Sequence, residues 1–246
     1  MPMHLLGDDV SFPPTSATTP EGVIAVGDDL RVERLLAAYS RGIFPWPVRG
    51  FPLLWFCPDP RFVLPLDSLH VGRSTRRAIR RGTFEVRFDT AFSEVIDHCA
   101  HAPRKDQDGT WITPALRNAF VRLHQLGFAH SIEAWCGDEL AGGLYGVSIG
   151  TGFFGESMFA RRPDASKVAF VTLAAHLRTW NFDFVDCQVE TDHLARFGAH
   201  DWPRERFMEA VRRSTAQPTR KGLWTAQLSA EEVLGQIRAT RPRSGG

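Results

Sequence analysis

The 246-residue chain holds four cysteines, Cys57, Cys99, Cys136 and Cys187, with no CxxC pair and no Cys/His ligand spacing. That argues against zinc and iron-sulfur frameworks and fits free thiols in a reducing compartment. Net charge is also missing: 29 Lys+Arg against 28 Asp+Glu leave +1, so any nucleic-acid contact must come from a local patch. No apolar run approaches the roughly 20 residues that cross a bilayer. The segment MPMHLLGDDVSFPP has acids and prolines where an export signal needs a basic region and an unbroken apolar run, so the expectation is a cytoplasmic protein with no membrane partner. His124, His130, His176 and His193 form no HxxxH or HExxH pattern, Ser157 stands in no GxSxG elbow, and no phosphate-binding glycine loop is read. No metal and no nucleotide cofactor is expected.

What is present is a chain rich in punctuation, with 21 Gly, 16 Pro, 7 Trp and 18 Phe, long enough for one substantial core or two modest ones. Residues 12–20, FPPTSATTP, read as an irregular arm. From Leu30 to Phe44, apolar residues recur at helical spacing, and Gly42 is placed to end the helix. Between Phe44 and Pro65 aromatics alternate with Pro and Gly, which favours short edge strands and an aromatic-lined wall. Ser74 is expected to cap a helix ending at Gly82, Phe84 to Asp89 to form a strand, and Asp89 to Ala100 a further helix. After a charged loop, Thr113-Pro114 opens a helix that Gly127 closes. Three strand-like runs, His130 to Cys136, Glu139 to Ile149 and Thr151 to Phe159, read as an antiparallel meander. A helix from Asp164 to Asn181, with Asp164 or Ser166 near its start, a strand from Phe182 to Glu190, and one short helix before a fraying basic tail complete the reading.

No repeat stands out, and the economical reading is an α/β (α+β) protein in mixed layers. A small N-terminal mixed α/β domain, residues 1–104, precedes a second domain, 105–246, with the boundary in the charged loop from Arg104 to Asp108. The order in the second part, helix, three antiparallel strands, helix, strand, resembles the acetyltransferase-like (GNAT) architecture, an inference about fold alone.

Three constellations stand out. Arg73, Arg76, Arg77, Arg80 and Arg81 fall at i, i+4 spacing and on an adjoining stripe, with no acid between Arg73 and Arg81. They form either a solvated helix face or a surface that forks onto phosphates. On a strand, Asp186, Gln188 and Glu190 share one face, so two carboxylates flank an amide, either at a solvent-facing edge or in a cleft with Gly155-Glu156-Ser157 of the meander. The aromatics Tyr39, Phe44, Trp46, Trp55, Phe56, Trp111, Phe153 and Phe154 are core or pocket; Trp46 and Trp111 lie in loop contexts where a ring can stack on a base or hold an apolar side chain.

Over nearly its whole length the chain resembles the leucyl/phenylalanyl-tRNA-protein transferases. The resemblance rests on Ala25-Val26-Gly27-Asp28-Asp29-Leu30, Arg41-Gly42-Ile43-Phe44-Pro45-Trp46, Pro58-Asp59-Pro60-Arg61, Gly109-Thr110-Trp111-Ile112-Thr113, Gly142-Gly143-Leu144-Tyr145-Gly146-Val147, Gly155-Glu156-Ser157-Met158-Phe159, Asp164-Ala165-Ser166-Lys167 and Asp186-Cys187-Gln188-Val189-Glu190. The family commonly has Gly-Gly-Asp-Leu where this chain has Gly27-Asp28-Asp29-Leu30, and Trp-Trp where it has Trp55-Phe56.

The resemblance implies transfer of Leu or Phe, less readily Met, from aminoacyl-tRNA to proteins beginning with Arg or Lys, which marks them for degradation in the N-degron pathway. It implies a GNAT-like second domain and no cofactor. Gln188 would contact the attacking α-amine while Asp186 polarises or orients Gln188; orientation of the amine with proton transfer through water or the ribose hydroxyl is equally workable. Leu144 and Phe153 would line the side-chain pocket, Trp46 and Trp111 would stack on the terminal adenosine, Glu156 would pair with the acceptor's cationic end, and Tyr39 joins this substrate-binding set. The arginines from Arg73 to Arg81 would meet the acceptor stem. The rivals are an acyl-CoA-dependent N-acyltransferase on the same fold and a non-catalytic RNA-binding module. The first would need a glycine-rich turn where Arg161-Arg162-Pro163-Asp164-Ala165-Ser166-Lys167 stands, and the second leaves Asp186 and Gln188 without a purpose.

Overall fold

A computed structural model describes residues 4–102 and 110–238. The N-terminal arm leads into β1 (Val23–Val26), α1 (Val32–Tyr39), β2 (Phe44–Trp46) and β3 (Leu54–Phe56), and the three strands form an antiparallel sheet ordered β1-β3-β2. The chain then enters a larger sheet through β4 (Arg61–Pro65), followed by α2 (Arg73–Arg80), β5 (Glu85–Phe88) and α3 (Phe92–His101). After residues 103–109 come α4 (Pro114–Gln125), β6 (Ala129–Cys136), β7 (Glu139–Ile149), β8 (Gly152–Ala160), α5 (Ala165–Thr179) and β9 (Phe184–Gln188). The described chain closes with α6 (Asp192–Ala195), β10 (His200–Trp202), α7 (Arg204–Thr215) and α8 (Ala230–Arg238).

The large sheet has seven strands in the order β10-β4-β9-β8-β7-β6-β5. Every neighbouring pair is antiparallel except β8 and β9, which run parallel. A parallel pair needs a crossover, and α5 supplies it. Because strand side chains alternate, neighbours part company: Phe154 and Phe184 join the core beneath α3, α4 and the small sheet, while Phe153 and Val185 join the core beneath α5, α2 and α8. The mixed α/β class and the β6-β7-β8 meander are as the sequence suggests.

The expected division at 104/105 is bridged by the sheet itself. The strands β4 and β5 precede it, yet β4 pairs with β9 and β10, and β5 pairs with β6. The loop that was to hold the boundary, Arg104 to Asp108, lies outside the described residues, as do Gly109 and the basic tail from residue 239.

Helix ends follow local chemistry with two departures. Thr113 caps α4, its Oγ1 accepting from the Leu116 N–H at 3.2 Å, with Pro114 in the first turn. Ser74 does not cap α2: Gly72 holds that position, and the Ser74 hydroxyl stands 3.4 Å from an Asp164 carboxylate oxygen. Asp164 precedes α5 in a left-handed conformation, φ 66°, and spends its carboxylate on Lys167 at 2.8 Å instead of the helix N–H groups. Between Glu190 and Thr215 the sequence reading assigned no element, yet α7 is there, burying Phe207, Ala210, Val211 and Ser214. No helix among the described residues is long and apolar enough to cross a membrane.

Gly150-Thr151-Gly152-Phe153-Phe154-Gly155 does spell G-x-G-x-x-G after a strand, but it is the β7–β8 turn and opens a strand, so it has no helix N-terminus to offer a phosphate. Its first glycine serves packing. Gly150 has φ 58°, and a Cβ there would lie 1.9 Å from the Ser214 carbonyl oxygen of α7. Gly137 has a similar φ of 60° with open space around it. Gly137→Ala is therefore expected to cost only the left-handed penalty of about 1–2 kcal/mol. Gly150→Ala adds a backbone collision and should cost at least about 2 kcal/mol more in urea unfolding; equal losses would show that α7 does not press on this turn.

Candidate active site

A cavity of about 770 Å³ opens beside the parallel strands. Pairing between β8 and β9 stops at Phe154↔Asp186, and the residues just past that point, Glu156 and Gln188, line the cavity. Both strands also carry a bulge here. The β7–β8 register steps from Tyr145↔Ser157 to Gly146↔Gly155, leaving Glu156 without a partner, and the β4–β9 register steps from Phe62↔Gln188 to Val63↔Asp186, leaving Cys187 without one. Bulges re-aim side chains at such places.

The lining divides into three parts. Leu144, Phe153, Met158, Phe170 and Val185 make an apolar recess continuous with the core beneath α5. Trp46 of β2 and Trp111, from the segment before α4, form a wall, with ring centroids 5.8 Å apart and planes inclined by 31°. At the rim, Arg161, Arg162 and Lys167 gather at the start of α5, Arg162 held by Glu139 and Lys167 by Asp164.

The polar part is one connected network. Glu156 Oε1 accepts from the Tyr39 hydroxyl at 2.7 Å and from Gln188 Nε2 at 2.8 Å. Glu156 Oε2 is shut off from solvent and has no hydrogen-bond partner among the described residues. Asp186 Oδ1 accepts from the Gln188 backbone N–H at 2.9 Å, and Arg61 binds the same carboxylate with two parallel bonds, Nε to Oδ1 at 2.7 Å and Nη2 to Oδ2 at 2.6 Å. Both side chains of this ion pair are fully buried.

Burial sets the titration of these groups. It pushes the Glu156 carboxyl up to about 8, against the pull of the Tyr39 and Gln188 hydrogen bonds and with a further push from the Asp186 charge. At neutral pH Glu156 is mostly protonated. Burial and then the neighbouring Glu156 raise the Tyr39 phenol well above its ordinary range. For Arg61, burial opposes the charge, but Asp186 outweighs it and the guanidinium stays protonated beyond its usual range. Burial also raises the Cys187 thiol, so this cavity cysteine is no nucleophile, and it lowers His193, leaving a neutral imidazole in the lining.

Of the residues singled out in the sequence, Trp46, Trp111, Leu144, Phe153, Glu156, Asp186 and Gln188 all come together here. Tyr39 does not line the cavity: it is fully buried and reaches the site only through Glu156. Glu190 lies beyond the end of β9 and is exposed, so the second carboxylate beside Gln188 is Glu156, brought across from β8. Asp186 meets the Gln188 backbone rather than its amide, because Gln188 takes a left-handed φ of 64° and leaves the strand face that the alternation assumed.

Arg73, Arg77, Arg80 and Arg81 are solvent-exposed, while Arg76 turns back to the Val71 carbonyl. The α2 arginines lie outside the cavity, joined to its rim by the Ser74–Asp164 contact. Met158, Phe170, Val185 and Arg61 were not singled out as site residues. Nothing marks the first three apart from other core apolar positions, and Arg61 is marked only as the end of Pro58-Asp59-Pro60-Arg61.

Models of known families match most of the chain: leucyl/phenylalanyl-tRNA protein transferase over residues 63–212, and the N-terminal domain of the same family over residues 28–59. A leucyl/phenylalanyl-tRNA–protein transferase of Myxococcus xanthus (strain DK1622) is 59% identical over 233 residues, covering 94% of this chain and 100% of that protein. One from Nitratidesulfovibrio vulgaris (strain DP4) is 56% identical over 225 residues, covering 91% and 96%. Among solved structures, the C-terminal domain of a putative lysylphosphatidylglycerol synthetase from Agrobacterium fabrum is 14% identical with a TM-score of 0.34, covering 85% of this chain and 70% of that one, too distant to carry an argument.

The raised Glu156 has a sign that can be read in stability. Between an ordinary glutamate value of 4.5 and about 8 the folded chain keeps a proton that the unfolded chain releases, so stability falls as pH rises through that window. Glu156→Gln removes the effect. Its melting temperature should match the parent near pH 4.5 and exceed it by at least roughly 3 °C at pH 8.5, as calorimetry would measure; a gap independent of pH would mean that Glu156 titrates normally.

Proposed function

The chain belongs to the leucyl/phenylalanyl-tRNA protein transferase family, and we propose that its cavity carries a leucyl or phenylalanyl group, less readily a methionyl group, from tRNA to the α-amine of a protein beginning with Arg or Lys. The observation that carries this reading is the continuity of the apolar recess with the Glu156–Gln188 pair. A side chain seated against Leu144, Phe153, Met158, Phe170 and Val185 brings its own carbonyl to the polar edge of the same cavity.

The donor ester is already activated, so no other energy source is called for. The acceptor nitrogen attacks the ester carbonyl carbon, the C–N bond forms as the C–O bond to the ribose breaks, and the proton shed by the amine ends on the leaving ribose oxygen. The protein's task is alignment, which can supply roughly 7–11 kcal/mol. With Gln188 Nε2 committed to Glu156, the amide oxygen is the atom left to accept from the incoming amine. Only the ionised fraction of Glu156 can take the proton or pair with the charge of an amine that arrives as ammonium, and with a carboxyl near 8 that fraction grows as pH rises toward 8. Ester activation leaves the route of the last proton open to water or the neighbouring ribose hydroxyl.

Burying a Leu or Phe side chain contributes roughly 1.5–3 kcal/mol, enough to favour both over small or polar residues and too little to separate them sharply from Met. Trp46 and Trp111 wall in the terminal adenosine and the arginines of α2 meet phosphates of the acceptor stem, a reading supported by the contact of the two rings and by the exposure of Arg73, Arg77, Arg80 and Arg81. The acceptor is thereby marked for the N-degron pathway, with the cytoplasm as the place of work.

The test is to mix the purified chain with radiolabelled Leu-tRNA and a peptide beginning with Arg, beside a peptide beginning with Ala and a separate acetyl-CoA donor. Label is expected on the Arg peptide alone, at a rate under subsaturating tRNA that falls at least about tenfold between 50 and 200 mM salt. Label left on the tRNA while acetyl-CoA is consumed would transfer the reading to an acyl-CoA enzyme; binding without either reaction would make the chain an RNA-binding module. A salt-indifferent rate would take α2 out of the tRNA contact.

A further inference from the structure

Resting on the transferase reading above, we propose that Arg61 is a positioning residue for the transfer, fixing Asp186 and, through it, the turn that presents Gln188 to the acceptor amine. Arg61 does not line the cavity, and the sequence marks it only as the last residue of Pro58-Asp59-Pro60-Arg61. It is fully enclosed between two rings, its guanidinium carbon 4.6 Å from the centroid of Phe44 and 4.6 Å from that of Phe207. In that slot its orientation is fixed, and the fork meets Asp186 with two parallel bonds.

What Asp186 does with its grip is specific. Its Oδ1 accepts the backbone N–H of Gln188, a residue held at φ 64°, where a side chain-bearing residue does not settle unaided. In that conformation the Gln188 amide reaches across to Glu156 on the neighbouring strand. The order of control is Arg61, then Asp186, then the Gln188 backbone, then the amide at the reacting atoms. A lysine could neutralise Asp186 but offers no planar fork to set the carboxylate plane. An apolar residue would leave a carboxylate enclosed without its counter-ion.

The experiment measures kcat and KM of the full chain for Leu-tRNA and an Arg-beginning peptide in four forms: the parent, Arg61→Lys, Arg61→Met, and Arg61→Met combined with Asp186→Asn. The amide oxygen introduced at 186 can still accept the Gln188 N–H while the enclosed charge is gone. Arg61→Met is expected to lower kcat by about 100-fold with KM changed less than about threefold, and Arg61→Lys by about tenfold. The double variant should recover at least about tenfold over Arg61→Met. A folded Arg61→Met with kcat within about threefold of the parent, or a double variant no faster than the single one, overturns the proposal. Should Arg61→Met fail to fold, Arg61→Lys decides alone: kcat lowered about tenfold with KM within about threefold supports the proposal, and kcat within about threefold of the parent overturns it. A parent chain that transfers nothing would instead sink the transferase reading.

Discussion

The buried ion pair between Arg61 and Asp186 is the constraint around which the rest of the molecule is arranged. Two full charges are held here with no exposure, Arg61 Nε and Nη2 bonded to Asp186 and Nη1 without a hydrogen-bond partner among the described residues, and removing one partner of such a pair costs roughly 3–5 kcal/mol. Three separate parts of the chain enclose the pair. Phe44 comes from the small sheet, Phe207 from α7, and Asp186 from the middle of the large sheet. The pair therefore ties the N-terminal sheet and α7 to the strand that carries Gln188, which accounts for a functional site assembled from both ends of the sequence.

Around this anchor the site separates two kinds of work. On the proposed reading the apolar recess selects a side chain by area, and the polar network governs one amine. They are adjacent because β8 and β9 cease to pair at Phe154↔Asp186, so that the cavity opens between strands that remain fixed by the sheet on either side. The bulges at Glu156 and Cys187 turn the chain just where the pairing ends. For an activated ester this is sufficient equipment, since what limits aminolysis is the alignment of two reactants and the fate of a proton.

Much of this was legible in the residues, and the failures have physical reasons. Thr113-Pro114 and Gly127 delimit α4 because capping is local chemistry, and the meander follows from alternation and its Gly137-Asp138 turn. The sequence pattern predicts no element where α7 lies, and the division at 104/105 rests on a charged loop, a local signal that does not register the pairing of β4 with β9 across it. At the site, alternation correctly set Asp186 and Gln188 apart from their apolar neighbours but extended the pattern to Glu190. One left-handed residue breaks it, and a backbone conformation of that kind leaves no mark in a side chain such as glutamine. Tyr39, expected in the substrate-binding set, is buried behind Glu156, and a single sequence does not say whether an aromatic ring faces a cavity or supports its wall.

On the proposed reading the recess and the Glu156–Gln188 pair act on one molecule. The most direct measurement is a crystal structure with an amide-linked, non-reactive analogue of 3′-leucyladenosine. The leucyl side chain is expected against Leu144, Phe153, Met158, Phe170 and Val185, its carbonyl beside the Gln188 amide, and the adenine walled by Trp46 and Trp111. A leucyl group lying outside the recess, or a carbonyl turned away from Gln188 while the adenine occupies the cavity, would contradict it.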